Sequence, residues 1–364
     1  MAGMKSTPYN MCLSQTTAPP LVSIGIPVYN GERVLHHALV SVLNQTYQNL
    51  EVVICDNAST DDTQNICLTY AARDPRIRYY RNATNIGLHA NFRRVCELST
   101  GEYFTWVSAD DRRPPLAIQA CLEAFQQHPN AVMVHGPILY EAGEGASLVE
   151  LSNAVDLSAP DSAERVRVFT QGLRFNEIVY GLYRSCALRK AMFPSTYGPD
   201  YLMALQMCLL GPVVSVATPI VVYHIRQPLA DNPMYRDVPI TLRFTKPGIP
   251  HFLDGNPMYR DVPITLTNLL MASGMRRWKC WTVLIMGSYY LLKIPGIPLR
   301  NRLRAIRAHV LSFCMRYRIK LVREWLFQPF GLVSAAAFFS WRLACRSSLS
   351  FRLASKLRAY LMRV

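Results

Sequence analysis

A doubly wound, mostly parallel α/β sheet flanked by helices, followed by a basic, amphipathic helical C-terminal region, is the fold class this 364-residue chain predicts. Three observations predict it. Short apolar runs alternate with amphipathic stretches in units of about thirty residues, the pattern of strands joined by crossover helices. A hydrophobic content of 50% supplies a sizeable core and excludes a disordered protein. The charge is divided: of 39 Lys and Arg and 24 Asp and Glu, residues 270–364 hold 18 bases and a single acid, Glu324, which leaves the rest of the chain nearly neutral.

The elements follow in order. MAGMKSTPYNMCLSQTTAPP, residues 1–20, lacks the apolar core of a secretory signal and reads as a flexible leader. LVSIGIPVYN, residues 21–30, is a β-branched run of the kind found in buried parallel strands. Behind the opening Gly31, residues Val34, Leu35, Ala38, Leu39, Val42 and Leu43 share one helical face. LEVVIC (50–55) is the second strand, and the capped turn DNASTDDT leads into a helix over 61–72. IRYYRN (77–82), NIGLHANFRRVCELST and EYFTWVSA supply a strand, a helix and a strand that ends at Asp110 and Asp111. Pro114 and Pro115 open a helix running to His128, and AVMVHGPILY (131–140) is another buried strand. Residues 141–165 are polar and small, which predicts a surface loop, and VVSVATPIVVYHIR closes the domain with two short strands.

After Arg226 the composition changes. NPMYRDVPITL occurs twice, at 232–242 and 256–266, within a segment holding seven prolines between Pro228 and Pro263. Two copies do not make a solenoid, so residues 227–268 read as an extended linker carrying a local duplication. Residues 269–364 form the basic region. Its uncharged runs, thirteen residues at 280–292 and seventeen at 325–341, fall short of the roughly 20 that a spanning helix needs. Between them, Leu303, Ile306, Val310, Phe313, Cys314, Tyr317 and Leu321 make an apolar stripe flanked by arginines and lysines. Such a helix lies on an anionic membrane or packs on its own domain; bases mixed with aliphatic and aromatic residues suggest an anionic membrane or nucleic acid, and the membrane surface is the expected partner, with nucleic acid the alternative. Ten scattered cysteines with no C-x-x-C pair exclude a zinc or disulfide framework and fit a cytoplasmic compartment, at the inner face of the cell membrane.

In an open α/β sheet, ligands bind beyond the carboxyl ends of the strands. Four polar clusters fall there: Pro27 to Asn30, Asp56 to Asp61, Asn82 to Gly87, and Asp110 with Asp111. Paired carboxylates at a strand end suit a hard divalent cation, Mn²⁺ or Mg²⁺, shared with phosphate oxygens, and they also suit a helix cap.

IPVYNGERVLHHALVSVLNQTYQNLEVVICDNASTDDT, NIGLHANFRR and GEYFTWVSADD resemble the glycosyltransferase family 2 domain over residues 21–226. The resemblance implies the GT-A fold and an inverting transfer of sugar from a nucleoside diphosphate donor. It places Pro27, Tyr29, Asn30 and Asp56 at the nucleoside, and Asn85 and Gly87 beside the sugar diphosphate. Asp110 and Asp111 match the metal-binding motif, Asp111 for direct ligation and Asp110 toward the ribose, with Ser108 where a leading Asp is frequent. Asn57 replaces the acid that usually accepts the imide proton of the base; its amide oxygen can still accept. The general base is expected at Asp200, ahead of a helix over 201–210, with Glu177 as runner-up. His224 is a candidate third metal ligand, and Arg112, Arg113, Arg184 and Arg226 are candidates for phosphate or acceptor. The basic tail directs the expected hydroxyl acceptor to a lipid-linked sugar in surface polysaccharide synthesis. A polyprenyl-phosphate acceptor, or a membrane scaffold with a decayed transferase domain, are the alternatives.

Overall fold

The computed structural model describes residues 18–142, 149–151, 155–173, 176–191, 193, 199–225 and 279–326. Most of the predicted leader (residues 1–17), Arg226, the predicted linker with its duplication, and the apolar run beyond residue 326 lie outside them. The chain divides into compact units of residues 1–318 and 319–364, and only the end of one helix is described in the second.

From the N-terminus come β1 (Val22–Val28), α1 (Leu35–Leu43), β2 (Leu50–Asp56), α2 (Thr63–Arg73), β3 (Ile77–Arg81), α3 (Leu88–Glu97), β4 (Tyr103–Trp106) and α4 (Ala117–Gln127). Then follow β5 (Met133–His135), β6 (Ile138–Ala142), β7 (Val149–Leu151), α5 (Ser162–Gly172), a 3₁₀ turn (Asn176–Tyr180), β8 (Leu182–Arg184), α6 (Ser185–Leu188) and α7 (Pro199–Leu210). Strands β9 (Val213–Ser215) and β10 (Val221–Ile225) precede two longer helices, α8 (Lys279–Lys293) and α9 (Leu299–Leu326).

Seven strands form the main sheet in the order β3-β2-β1-β4-β8-β5-β9. All neighbours run parallel except β8, which is antiparallel to both β4 and β5. Every residue of β1 and β2 is buried, as strands covered on both faces require. The predicted stripe of α1 packs inward through Leu35, Ala38, Leu39 and Val42, against the same core that receives Ile118, Cys121 and Phe125 of α4.

Residues 141–165 differ from the expected surface loop. β7 pairs antiparallel with β6 in a second, three-stranded sheet whose other edge is β10, and α5 begins inside the segment. The polar composition hid a helix start, since Asp161 caps α5 by accepting from the Ala163 N–H.

The helices α8 and α9 lie against α5 and α7. Phe313 of α9 is fully buried, with ring centroids 6.5 Å from Tyr201 and 4.5 Å from Tyr317. His309 meets the Thr170 hydroxyl at 3.2 Å, and Arg316 donates to the Thr170 and Leu173 carbonyls at the end of α5. The predicted stripe is thereby split: Phe313 and Tyr317 face the domain, joined there by Ala305, His309 and Ser312, while Leu303 is exposed. Among the described residues no helix is long and apolar enough to cross a membrane.

Candidate active site

Because β1, β2, β3 and β4 are parallel and adjacent, their carboxyl ends meet along one edge, and the four polar clusters of the sequence meet with them. Register places Val28 beside Asp56 and Asp56 beside Arg81. Pro27 lies within β1, Tyr29 is half-buried just beyond it, and Asn30 is exposed with φ of 52°. Among the described residues Ala58 is the other non-glycine residue with positive φ, at 62°. Such backbone is disfavoured and persists where surrounding bonds over-determine it. Here they do: Asn30 N–H donates to Ser59 Oγ at 2.9 Å, and Thr60 N–H donates to Asn30 Oδ1 at 2.8 Å.

Asp56 is fully buried and multiply bonded. One carboxylate oxygen accepts from the Ser59 N–H at 2.8 Å; the other accepts from the Tyr79 hydroxyl at 2.8 Å and pairs with the Arg81 guanidinium. Arg81 also donates to the Ser59 carbonyl, which ties the end of β3 to the turn after β2. Burial pushes the Tyr79 hydroxyl pKa well up, and the adjacent Asp56 charge adds to the shift.

Asn57 is also buried, and its amide is committed within the protein. Its oxygen accepts from Asn82 Nδ2 and from the Ile86 N–H, both at 2.9 Å, and its nitrogen donates to Asn85 Oδ1 at 2.7 Å. Asn85 Oδ1 accepts in addition from the Gly87 N–H at 2.9 Å, so backbone donors fix both amide orientations. Asn82 continues the chain of amides to Asn91, which donates to the Cys55 carbonyl. Gly87 stands at φ of 86°, a conformation glycine adopts freely, at the start of α3. Asn57, Asn85 and Gly87 thus form one hydrogen-bonded unit.

At the end of β4, Asp110 is half-buried and accepts from Ser108 Oγ at 2.6 Å, while Asp111 is buried. The loop is fastened to β10 by two backbone bonds between Arg112 and Val222, which brings the backbone of Tyr223 and His224 alongside the acids. Neither arginine of the pair is a solvated side chain without structure around it. Arg112 pairs with Glu141 of β6, and Arg113 is buried, donating through Nη2 to Thr105 Oγ1 at 2.7 Å, the Trp106 carbonyl at 3.1 Å and the Tyr180 carbonyl at 2.9 Å. Burial lowers the Arg113 pKa to about 10, against the opposing attraction of Cys121 and Asp111.

Asp200 is exposed in the first turn of α7, where a carboxylate is favoured by the helix dipole. Burial drives the Tyr180 hydroxyl far above its ordinary pKa, and Asp111, Tyr223, Asp200 and Asp110 each push it further. Glu177 lies in the 3₁₀ turn ahead of Tyr180. Arg184 sits elsewhere: it pairs in register with Tyr103, at the opposite end of β4, and donates to the Ala131 and Pro129 carbonyls and the Tyr103 hydroxyl. That side chain braces the far edge of the sheet.

Among the described residues no group of three or more His, Cys, Asp and Glu side chains could hold a metal. Asp110 and Asp111 offer two carboxylates, hard oxygen donors that suit a divalent cation whose remaining positions go to water and a ligand's phosphate oxygens. The residues present fit half of such a shell. Sequence reading missed Arg81, Tyr180 and the Asn82–Asn91 pair. Arg81 carried a usable signal as the last residue of a strand ending at the same edge; Tyr180 lies in a turn that only the inserted antiparallel β8 brings there.

The comparisons agree with this architecture. The profile of Glycosyl transferase family 2 matches residues 23–192. An uncharacterized glycosyltransferase of Haemophilus influenzae is 31% identical over 192 residues, covering 52% of this chain and 72% of that protein. Chondroitin synthase of Escherichia coli is 37% identical over 116 residues, 32% of this chain and only 17% of the synthase. TarS 1-349 of S. aureus in complex with UDP-GlcNAc superposes with a TM-score of 0.54 at 13% identity, covering 84% of this chain and 79% of that one, a likeness of fold. With a mostly parallel sheet flanked by helices and these relatives, the chain belongs to glycosyltransferase family 2.

Proposed function

We propose that the protein transfers a sugar, with inversion, from a nucleoside diphosphate donor to a hydroxyl acceptor. The observation that carries this reading is the placement of three acids: Asp110 and Asp111 follow β4 at the carboxyl edge shared by the parallel strands, and Asp200 stands in the first turn of α7. Two of these acids end a strand of the donor half and the third opens a helix of the other half. That is the division of labour an inverting transfer needs.

In this reading Pro27, Tyr29, Asn30 and Asp56 line the nucleoside, and the amide unit of Asn57, Asn85 and Gly87 holds the loop next to the sugar diphosphate. Asp110 and Asp111 would hold Mn²⁺ or Mg²⁺, with His224 as a further ligand, and the cation would supply charge neutralisation at the departing diphosphate. Asp200 Oδ accepts the proton of the acceptor hydroxyl as that oxygen attacks the anomeric carbon from the face opposite the diphosphate. Being exposed, this carboxylate is reachable by an acceptor from outside the fold. A UDP-GlcNAc complex of a protein with this fold supports a nucleotide-sugar donor. The basic C-terminal region supports a lipid-linked acceptor at an anionic membrane face in polysaccharide assembly.

Thermal melts with a panel of nucleotide sugars and Mn²⁺ test the reading, because a ligand that binds only the folded state raises its apparent stability. At least one donor is expected to raise the melt, and Asp111→Asn to abolish the metal-dependent part of the rise. A panel with no shift, and no metal-dependent donor hydrolysis, would leave a scaffold in place of an enzyme.

A further inference from the structure

We propose that the tip of the α8–α9 hairpin is a docking surface for an anionic lipid bilayer. The turn between the helices is open. Gly296 there has φ of 74°, with nothing within 4 Å of where a Cβ would stand, and Pro295, Pro298 and Leu299 are exposed. Arg302 Nη1 donates to the Leu292 carbonyl at 2.6 Å, holding the two helix ends together at this tip.

Large apolar side chains collect on this pair of helices. Among the described residues eight large hydrophobics are exposed, and five of them are here: Ile285 at 43%, Tyr289 at 43%, Leu299 at 54%, Leu303 at 51% and Met315 at 61%. Tyr289, Leu299 and Leu303 belong to the turns of helix next to the tip, interleaved with exposed Lys293, Arg300 and Arg304. Lys293 Nζ lies 5.9 Å from the Tyr289 ring centroid, an aromatic and a base sharing one site as they do at a headgroup boundary. Residues 279–323 contain no Asp or Glu, so nothing on the hairpin itself neutralises the tip; from the domain, Asp161 reaches Arg304.

Charge and apolarity together select the occupant. A polyanionic nucleic acid would use the bases and leave Leu299 and Leu303 in water, whereas an anionic bilayer takes both, the bases at its headgroups and the aliphatic side chains below them. The hairpin is not a loose arm. A Cβ at Gly287 would stand 2.5 Å from His309 Nε2 and 3.1 Å from Leu205 Cδ2, so α8 is seated closely on α7 and α9. Helix α7 carries Asp200 in its first turn, and docking the tip therefore fixes the orientation of that helix to the membrane. The last step rests on the transfer reading; the docking itself does not.

Co-sedimentation of the full chain with phosphatidylcholine vesicles, with and without about 30% phosphatidylglycerol, tests the surface. The expected result is binding to the anionic vesicles that weakens with salt. Lys293→Glu with Arg300→Glu should lower the partition coefficient at least about tenfold, and Leu299→Ser with Leu303→Ser several-fold at a salt concentration that screens the charges. All four side chains are exposed, so the melt of each variant should match wild type, and transfer to a soluble acceptor measured in parallel should be unchanged. That second measurement separates a failed docking surface from a failed transfer reading. Equal binding to both vesicles, variants that bind like wild type, or salt-sensitive binding to duplex DNA with none to vesicles would overturn the proposal.

Discussion

The sheet domain and the α8–α9 pair both bury polar groups, and they do so by different means. In the sheet, buried carboxylates meet cations and hydroxyls: Asp56 with Arg81 and Tyr79, Glu51 with Arg78 and Ser23. In the helical pair there are almost no carboxylates, and its arginines meet carbonyls, as Arg113 and Arg184 also do in the sheet domain beside its carboxylate pairs. Arg316 donates to the last carbonyls of α5 and Arg302 to the end of α8, positions where a helix leaves acceptors without partners and favours positive charge. A strongly basic segment can thus fold against a nearly neutral domain without acids, provided its buried face is apolar and some of its arginines cap helix ends.

The largest effect is expected at an exposed carboxylate of the sheet domain, the one proposed as general base. Asp200→Asn removes the base, so transfer should fall by about 10²–10⁴-fold with donor binding retained. The melt should stay within about 0.5 kcal/mol of wild type, as for other exposed substitutions. A variant that transfers normally would move the base to Glu177. A variant that loses its fold would show that Asp200 is held like Asp56, and the contrast between structural and exposed acids would fail.

The difference between the two regions also explains how far each was legible. The β-branched run in LVSIGIPVYN and the helical stripe from Val34 to Leu43 act locally, so strands, helices and their order followed from the residues. The candidate edge followed as well, since parallel strands must end together. Partners that depend on tertiary closure did not follow. Arg113 and Arg112 look alike beside Asp111, yet one is buried under Trp106 and Tyr180 and the other pairs with Glu141, which lies 29 residues on. The antiparallel β8, entering between β4 and β5, has no signal in LYR. In α9 the apolar stripe was visible, but the sequence does not say which part of it faces the domain. His309 is buried while Leu303 is exposed, because α5 and α7 offer the imidazole Thr170 and Tyr201 as partners.

Packing carries the helical pair, so its most damaging change should be a cavity. Phe313 is fully buried between Tyr201, His309 and Tyr317. Phe313→Ala should cost about 3–5 kcal/mol, read as a lower melt or as faster amide exchange confined to α8 and α9. A loss below about 1 kcal/mol would mean that the pair is held by its arginines and not by its apolar face.

In the sheet the matching test is electrostatic. Burial disfavours the Glu51 charge, but hydrogen bonds from Ser23, the Thr100 N–H, Arg78 and the Thr100 hydroxyl outweigh it and hold the carboxyl below its ordinary pKa. A carboxyl depressed in the folded state adds stability above its unfolded value, near about 4.3, and loses that contribution as pH falls through the folded value. Glu51→Gln should therefore cost about 1–3 kcal/mol at pH 7, with the gap to wild type closing below about pH 4. A gap independent of pH would assign the loss to packing and make the sheet resemble the helices.

The smallest effect belongs to an ion pair that joins the two regions. Arg304 of α9 reaches Asp161 at 3.0 Å, with both side chains about half exposed at 54% and 44%. Solvent screens such a pair, and Asp161 keeps its other task, accepting from the Ala163 N–H at the start of α5. Arg304→Ala should change stability by about 0–1 kcal/mol, less at high salt, whereas Asp161→Ala should cost about 0.5–2 kcal/mol because the cap goes with it. If Arg304→Ala matched Asp161→Ala, the exposed ion pair and not the Phe313 contact would be what seats α9. The division between a charge-paired sheet and an apolar, carbonyl-capped helix pair would then not hold at their junction.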